Sequence, residues 1–314
     1  MLEFYNTNTT TIIEDLKDFF TVSFTIIDDI YQEMVPSEIK NRRNINTSIM
    51  SDSEIITIAI VGELMTIDSE KSWLGFCRKN LKELFPKFCN RTRFNRTRRF
   101  LFRVIELIRK KLTEILGYYS DPHRIVDSMP IYACKFGRAK FHKAFKGLAS
   151  YGRCASKKET YFGFKFHSLI AIDGYITDIS ITSANKDDRD ALWDLTNKKL
   201  SLTIISDKGY IGADFAEELF KERNATIISG KRNNSKTQLP KELRQLIFKK
   251  RRLIETVYSQ LAGQLNISRV LAKSHLGLLT RIETKVLAHN LCHFINKTIN
   301  KTVNVRNIKE LLFG

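Results

Sequence analysis

The sequence predicts an α/β protein in which a mixed sheet flanked by helices follows an all-helical N-terminal region. From about residue 120 onward, short β-branched runs alternate with amphipathic helical patterns. Two early runs are separated only by the turn Asp173-Gly174, which is typical of an antiparallel hairpin. Later runs are separated by helical segments, which is typical of parallel strands.

The length of 314 residues leaves room for two domains, and the pattern changes between Gly117 and Pro122. We therefore expect a helical region over residues 1–118 and an α/β domain over residues 119–300. Residues 301–314 are expected to form a C-terminal tail.

The chain is strongly basic. Its formal net charge is +18, although 43% hydrophobic and 27% charged residues are ordinary for a globular protein. Such a charge indicates a polyanionic partner or a membrane surface, and nucleic acid is the commoner of the two. No apolar run is long enough to span a bilayer and the N-terminus lacks a signal peptide, so we expect a cytoplasmic protein without membrane association. The five cysteines form no C-x-x-C pair, which predicts free thiols.

Helical spacing dominates the N-terminal region. Apolar residues recur at this spacing over residues 12–20 and 26–31. Ser51 and Glu54 stand three positions apart before an apolar run, which predicts a capping box at a helix start.

A basic segment extends from Arg78 to Lys111 and contains thirteen Lys and Arg against only Glu83 and Glu106. Its apolar residues can face a helical core while the arginines project outward, which suits contact with the major groove or with phosphates. The candidate DNA-binding residues are Arg91, Arg93, Arg96, Arg98 and Arg99. The alternative interpretation is a solvated helix face, which is the usual role of a charge run.

Each element of the α/β part has its own pattern. Strands are predicted over residues 124–131, 161–172, 175–182, 202–206 and 225–229, and helices over residues 188–199 and 213–223. A polar loop at residues 230–236 precedes a closing helical region. Antiparallel strands followed by parallel ones, with helices on the faces, narrow the fold class to the ribonuclease H-like architecture.

The segment between the first two strands, residues 132–159, is too long for a hairpin turn. It carries eight Lys and Arg interleaved with aromatic residues, and no acid before Glu159. Long ordered loops in compact domains are usually functional. A basic and aromatic loop can hold phosphates and stack on an unpaired base, so we expect it to clamp DNA.

Three carboxylates occur on the elements from which a two-metal phosphoryl-transfer site is commonly built. Asp127 lies in an apolar strand, Asp207 ends a strand before a turn, and Glu255 lies on a helix beside its apolar stripe. Taken singly, Asp127 is more often a hydrogen-bonded structural residue. An exposed ion pair with Arg251 would explain Glu255 equally well.

Other polar residues offer further candidates. Lys165 and His167 alternate onto one strand face, where they either neutralise phosphate near the acids or form the solvated face of a hairpin. Basic residues beside the acids that are candidates for DNA contact are Lys208, Lys249, Lys250, Arg251 and Arg252. His289 and His293 share a helix face, but their apolar surroundings favour a packing helix over a zinc site.

Several pieces of the sequence resemble one known family. They are IVDSMPIYAC, ASYGRCASKKETYFGFKFH, ISDKGYIG, and KKRRLIET followed by YSQL. In this order they are similar to the transposases of bacterial insertion sequences that have an Asp-Asp-Glu triad, and most similar to the insertion sequence 982 group. The resemblance extends over residues 120 to 297. The N-terminal third matches more loosely, in its helical character and its FNRTRRF piece.

The resemblance implies that Asp127, Asp207 and Glu255 are the catalytic triad and the metal ligands. It also implies a ribonuclease H-like core, dependence on Mg²⁺ with Mn²⁺ as the alternative, and binding of double-stranded DNA at the element's terminal inverted repeats and at the target. The implied reaction is strand cleavage and strand transfer without a covalent protein intermediate. The active complex is expected to be a homo-oligomer that is associated with the nucleoid when bound to DNA.

Two other functions remain open at this point. A ribonuclease H-like nuclease or resolvase would cut DNA without joining it. A non-catalytic DNA-binding regulator would bind DNA regardless of Mg²⁺ and of Asp207.

Overall fold

The computed structural model describes residues 13–155, 157–196, 201–210, 212–230, 240–301 and 303–310. The chain divides into two compact units. The helical unit comprises Met1–Leu116 together with Leu271–Gly314, and the sheet unit comprises Gly117–Val270. Within the described ranges, no helix combines the length and the apolar character that crossing a membrane requires.

The helical unit is built around two buried helices. Its helices are α1 (Leu16–Met34), α2 (Ser37–Lys40), α3 (Asp52–Leu64), α4 (Glu70–Asn80), α5 (Arg91–Phe100), α6 (Phe102–Ile115) and α10 (His275–Thr298). All residues of α3 except Glu54 are buried, because apolar side chains surround this helix instead of forming one stripe. Helix α10 packs against both α3 and α6.

The predicted capping box is confirmed at the start of α3. Ser51 Oγ accepts a hydrogen bond from the Glu54 amide at 3.1 Å, and the Glu54 carboxylate accepts one from the Ser51 amide at 2.6 Å. The two bonds satisfy backbone donors that a helix start otherwise leaves unpaired.

Helix α10 belongs to the helical unit, whereas the sequence led us to expect one α/β domain over residues 119–300. Its buried residues include Val286, Leu287 and Leu291, and its packing partners are α3, α5 and α6. His289 and His293 are buried in this helix as well, as expected for a packing helix. An apolar pattern indicates that a helix is buried, but not which core it joins.

Residues 303–310 are also part of the helical unit. Ile308 is fully buried, and the Asn307 carbonyl accepts a hydrogen bond from the Asn296 side chain at 3.3 Å. The described part of the expected C-terminal tail therefore contributes to a core. Residues 302 and 311–314 lie outside the described ranges.

In the described residues, the sheet unit contains a six-stranded mixed sheet. Its strands are β1 (His123–Tyr132), β2 (Ser150–Cys154), β3 (Glu159–Ile170), β4 (Ile176–Ser183), β5 (Leu202–Ser206) and β6 (Ala225–Ser229). Strand β1 pairs antiparallel with β3 and parallel with β5, and β5 pairs parallel with β6. Along its other edge, β3 pairs antiparallel with β2 over residues 159–163 and with β4 over residues 164–170. The predicted mixed α/β fold class is confirmed.

Helices cover both faces of this sheet. They are α7 (Asp188–Leu195), α8 (Ala213–Arg223) and α9 (Lys241–Gly263). On one face, Leu192 of α7 and Leu219 of α8 share a core with Val126. On the other face, α9 packs on β1 and β5, and the Tyr258 ring lies 6.2 Å from that of Phe166. The two faces are distinct because successive strand residues alternate in direction.

Several predicted elements have the observed bounds, namely β5, β6 and α8. The hairpin turn is also confirmed, since Gly174 has a φ of 100°, a conformation that favours glycine. Helix α7 ends at Leu195, and residues 197–199 of the predicted helix lie outside the described ranges. The same holds for the predicted polar loop beyond Gly230.

The segment predicted as one long loop contains regular structure. Phe136–Phe141 forms a 3-10 helix, and β2 adds a strand to the outer edge of β3. The sequence of β2, Ser-Tyr-Gly-Arg-Cys, has no apolar alternation that would predict a strand. Its extended conformation is stabilised by pairing with β3, which is a tertiary effect.

Candidate active site

Two of the predicted carboxylates lie where the parallel pairing of two adjacent strands ends, Asp127 within β1 and Asp207 just after β5. Strands β1 and β5 pair in register up to Ile125 and Ile205. Asp127 and Asp207 each follow two positions later, so both lie at the edge where this parallel pairing ends. Open α/β sheets hold their reactive groups at this edge.

The Asp127 carboxyl is largely shielded from solvent. Burial raises its pKa to about 6. A hydrogen bond from the Ser128 amide at 2.8 Å and the positive charge of Arg251 oppose this shift, whereas the negative charges of Asp207 and Asp188 add to it. A carboxylate in these surroundings is stabilised by any nearby cation.

Helix α9 brings two side chains to this edge of the sheet. Arg251 Nη1 lies 3.1 Å from Asp207 Oδ1, and the Tyr258 hydroxyl donates a hydrogen bond to the Asp127 carbonyl oxygen. The same hydroxyl lies 3.1 Å from Ser168 Oγ. Burial raises the pKa of Tyr258 well above its usual value, so the phenol remains protonated and able to donate. Tyr258 therefore fixes the backbone from which the Asp127 side chain extends.

Glu255 lies on the same helix and is exposed. It follows Arg251 by four positions and precedes Tyr258 by three, so the three side chains share one helix face. Among the residues that the structure describes, no three His, Cys, Asp or Glu side chains form a group that could hold a metal ion. The structure thus brings Asp127 and Asp207 together, and Glu255 occupies the helix face from which both are contacted.

Asp188, at the start of α7, is a further acid of this site that the sequence patterns did not predict. Its Oδ1 accepts hydrogen bonds from Lys165 Nζ at 3.0 Å and from Ser128 Oγ at 3.2 Å. Its charge contributes to the raised pKa of Asp127. The available signal was the acidic run of residues 187–190, but acids at a helix start are common simply because they cap the helix.

The structure corrects both interpretations of His167 and places Lys165 beside an acid of the site. His167 is fully buried, and burial lowers its pKa to about 4, so the imidazole is neutral near pH 7. Lys165 forms an ion pair with Asp188. Because His167 pairs with Ser128 in the β1–β3 register, it lies on the face opposite Asp127, and so does Lys165. His167 therefore forms neither a phosphate contact nor a solvated hairpin face, whereas phosphate contact by Lys165 stays a prediction.

Helix α5 presents only some of its predicted arginines to solvent. The exposed ones are Arg91, Arg93 and Arg96, and Arg99 is half-buried. Arg98 is buried, and its Nη2 lies 2.9 Å from Glu70 Oε2. The prediction that Arg98 contacts DNA is wrong, because the side chain turns into the helical core to pair with an acid.

The basic residues of α9 also differ in their exposure to solvent. Lys249 and Arg252 are exposed, Lys250 is half-buried, and Arg251 is paired with Asp207. The side chain of Lys208 lies outside what the structure describes.

The donors at this edge of the sheet suit a divalent metal ion. Asp127 and Asp207 offer oxygen ligands, which Mg²⁺ and Mn²⁺ prefer. A cation would also relieve the burial of the Asp127 charge and its repulsion by Asp207. In the structure, Arg251 supplies the positive charge beside Asp207. The two aspartates therefore fit a metal ion.

The chain is similar to a described protein family in its α/β part. No curated protein and no solved structure matches the chain. A family model described as a transposase DDE domain matches residues 119–276, just over half of the chain. The chain therefore belongs to the family of proteins with a transposase DDE domain.

Proposed function

We propose that this protein is the DNA transposase of an insertion sequence of the 982 group, which binds the terminal inverted repeats of its element and catalyses metal-dependent strand cleavage and strand transfer. The observation that carries the proposal is the pair Asp127 and Asp207, which lie within β1 and just after the adjacent parallel strand β5, among the residues that match the transposase DDE domain. The order of the sheet, with antiparallel β1, β3 and β4 continued by parallel β5 and β6, supports a ribonuclease H-like fold.

Asp127, Asp207 and Glu255 are the proposed ligands of Mg²⁺, or of Mn²⁺ in its place. The shared helix face of Glu255, Arg251 and Tyr258 supports Glu255 as the third ligand, because the other two contact the aspartates. Arg251 is paired with Asp207 through Oδ1, so a metal ion at this carboxylate would compete with Arg251 for the same negative charge.

The side chains around the aspartates prepare the site for this chemistry. When bound, two divalent ions would neutralise the scissile phosphate and activate the attacking water. The Tyr258 hydrogen bond holds the β1 backbone at Asp127. Lys165 and Ser128 orient the Asp188 carboxylate, which keeps a second negative charge near Asp127. The 3′-hydroxyl released by cleavage would then attack the target strand in the same site.

The proposed DNA contacts extend beyond the carboxylates. The net charge of +18 supports binding of double-stranded DNA. The exposed arginines of α5, together with Lys249 and Arg252 of α9, are the proposed phosphate contacts. Two element ends must be cut and joined, and each chain contains one proposed triad. We therefore propose a homo-oligomeric complex on the nucleoid.

The test is incubation of the full chain with linear DNA that contains the sequences on either side of its gene, in Mg²⁺ or in EDTA. A transposase should expose 3′-hydroxyl ends at the element boundary only with Mg²⁺ and join them to an added plasmid. Asp207→Asn keeps the shape and removes the charge, so it should bind DNA and lose cleavage. Glu217→Gln, which removes an exposed charge on α8, is the matched control and should cleave normally.

The other outcomes separate the alternatives. Cleavage without joining would identify a nuclease or resolvase. DNA binding with no cleavage, indifferent to Mg²⁺, would identify a regulator. Unchanged cleavage by Asp207→Asn would overturn the proposed site.

A further inference from the structure

A cavity of about 420 Å³ lies in the segment between β1 and β3, and none of its lining residues belongs to the carboxylate site. We call it the insertion pocket. It is lined chiefly by Lys140, Phe141, His142, Lys143, Lys146 and Phe162. Its volume falls within the range of about 300–1,000 Å³ that is typical of pockets for small organic ligands.

The charge of the insertion pocket is positive. Lys140, Lys143 and Lys146 are all exposed around it. From Ala133 to Lys158, the sequence contains no Asp or Glu that could neutralise them locally. A ligand of this pocket is therefore expected to carry negative charge.

The walls of the insertion pocket are aromatic. The Phe141 side chain is 80% exposed, which is unusual for a residue of this size and polarity. The His142 ring stacks on the buried Phe145 at 5.4 Å between centroids and meets the edge of Phe162 at 6.1 Å. The pocket thus combines the exposed ring of Phe141 with the packed ring of His142.

His142 also offers a polar atom. Its Nε2 is buried and has no hydrogen-bond partner in the part of the chain that the structure describes. Buried polar atoms are normally hydrogen-bonded, so this nitrogen has bonding capacity left for a ligand in the pocket.

From these observations, we infer that the insertion pocket receives one unpaired nucleotide of the DNA substrate. Its base stacks on Phe141 and bonds to His142, while its phosphates contact the three lysines. A base inside a duplex has both faces covered by its neighbours, so it must leave the stack to enter such a pocket. A free inorganic anion would bind to the lysines but would not stack on an exposed aromatic ring. The inference rests on the proposed DNA binding.

An aromatic surface continues outward from the pocket. Tyr151 of β2 is 46% exposed, and its ring lies 5.1 Å from that of Phe162. Phe136, which is 57% exposed, lies 5.8 Å from Tyr151. Successive bases of a strand stack on such platforms with little dependence on sequence. This surface gives the nucleotides next to the unpaired one a place to bind.

The test measures the binding of the full chain to fluorescein-labelled duplexes by anisotropy, in EDTA. The duplexes are identical except for one bulged adenosine, one bulged abasic site, or no bulge. We expect the bulged adenosine to bind roughly tenfold more tightly than the abasic bulge, as loss of one base stack predicts. Phe141→Ala should abolish this preference, and Lys143→Gln should weaken binding of all bulged probes. The matched controls are Phe220→Ala, which removes a 57% exposed ring of α8, and Lys221→Gln; both should retain the preference.

Equal affinity for the two bulged probes would overturn the inference, as would a preference that survives Phe141→Ala. Circular dichroism of each variant checks its fold. Should Phe141→Ala misfold, His142→Gln takes its place with the same expected loss. Because EDTA excludes cleavage, a preserved bulge preference in a protein that never cleaves DNA would refute the proposed catalytic function alone. Absence of binding to every duplex would refute both.

Discussion

Asp127 occupies a position where a strand would normally place an apolar residue, and its surroundings penalise its charge. Burial is the largest cause of its raised pKa, and Asp207 and Asp188 add to it. A residue that lowers the stability of the fold in this way is expected where function requires it. Among the three proposed ligands, Asp127 is therefore the one whose placement is hardest to explain by structure alone.

Replacing Asp127 by Asn should stabilise the metal-free protein, and increasingly so as the pH rises. The carboxyl ionises near 3.8 in an unfolded chain and near 6 in the folded protein, so the folded state bears the cost of the charge above this window. The gain should be small at pH 4 and reach up to about 3 kcal/mol above pH 7. Urea unfolding in EDTA at both pH values measures it. The prediction would be contradicted if the gain in the free energy of unfolding were the same at both pH values. A gain equal to that of the control Glu217→Gln would contradict it as well.

Mg²⁺ should stabilise the native protein against heat. An ion that binds only the folded state raises the free energy of unfolding with the logarithm of its concentration, once this exceeds the dissociation constant. The melting temperature should therefore rise steadily with Mg²⁺ in the native protein and remain constant in the Asp127→Asn, Asp207→Asn double variant. A parallel rise in both proteins would show that the ion binds elsewhere.

Helix α5 carries two exposed arginines that are spaced to contact one DNA backbone. Arg93 and Arg96 stand three positions apart, so their side chains are neighbours on one face. Arg98, two positions further, contributes to the core instead. The charge run is thus partly a surface and partly a structural element.

Replacing Arg93 and Arg96 together by Gln should weaken DNA binding and flatten its dependence on salt. Each lost phosphate contact lowers the slope of log K against log salt by about 0.9. We expect a decrease approaching about 2 units, measured by anisotropy titrations between low and moderate salt. The control Lys221→Gln, Lys241→Gln removes two exposed charges from α8 and α9. An unchanged slope for the α5 variant would assign these arginines to a solvated face.

Helices α3 and α10 are joined by a buried cluster of charges. Glu63 of α3 pairs with Lys285 and lies 3.0 Å from Arg281 Nη2, and all three side chains are at most 11% exposed. Burial alone would raise the Glu63 pKa, but Lys285, Arg281 and Arg98 outweigh it and hold it at about 2. The stability that this cluster contributes should accordingly be lost as the pH falls from about 4.5 to 2.

Glu63→Gln should destabilise the helical unit by about 3–5 kcal/mol, since it leaves several buried cations without their shared counter-charge. The comparison is Glu106→Gln, which breaks pairs with Arg103 and Lys110, whose side chains are 78% and 45% exposed, and should cost less than about 1 kcal/mol. Both values follow from urea unfolding at neutral pH. Similar losses for the two variants would mean that the buried cluster contributes little.

The C-terminal part of the chain belongs to the helical unit, although the sheet unit precedes it in sequence. Residues 271–314 contribute α10 to the helical unit, although 154 residues of the sheet unit, Gly117–Val270, separate them from α6. Nearly all of α10 between Ile282 and Asn296 is buried. The helical unit is therefore incomplete without the C-terminal part of the chain.

A fragment of residues 1–116 should consequently fail to unfold cooperatively, whereas a fragment of residues 117–270 should retain its sheet. Adding a peptide of residues 271–314 should restore cooperative unfolding to the first fragment but not alter the second. Thermal melts followed by circular dichroism distinguish these cases. A cooperative melt of residues 1–116 alone would show that α10 is dispensable to that core.

Local chemistry was enough to predict a large part of this fold. The capping box at Ser51, the turn at Gly174 and the bounds of β5, β6 and α8 depend on residues close together in sequence. The proximity of Asp127 and Asp207 could also be predicted. Strands that are separated by helices pair in parallel, so residues at the same level of the two strands lie side by side.

The remaining features depend on contacts between residues that are distant in sequence. The burial of Arg98 and His167 follows from partners on other elements, Glu70 for Arg98 and Thr182 for His167. The entry of Asp188 into the site, the pairing of β2 and the membership of α10 in the helical unit have the same origin. Periodicity states only that a side chain is buried or exposed. Which partner it meets is decided by the tertiary packing, because the free energy of burying a charge depends on the groups around it.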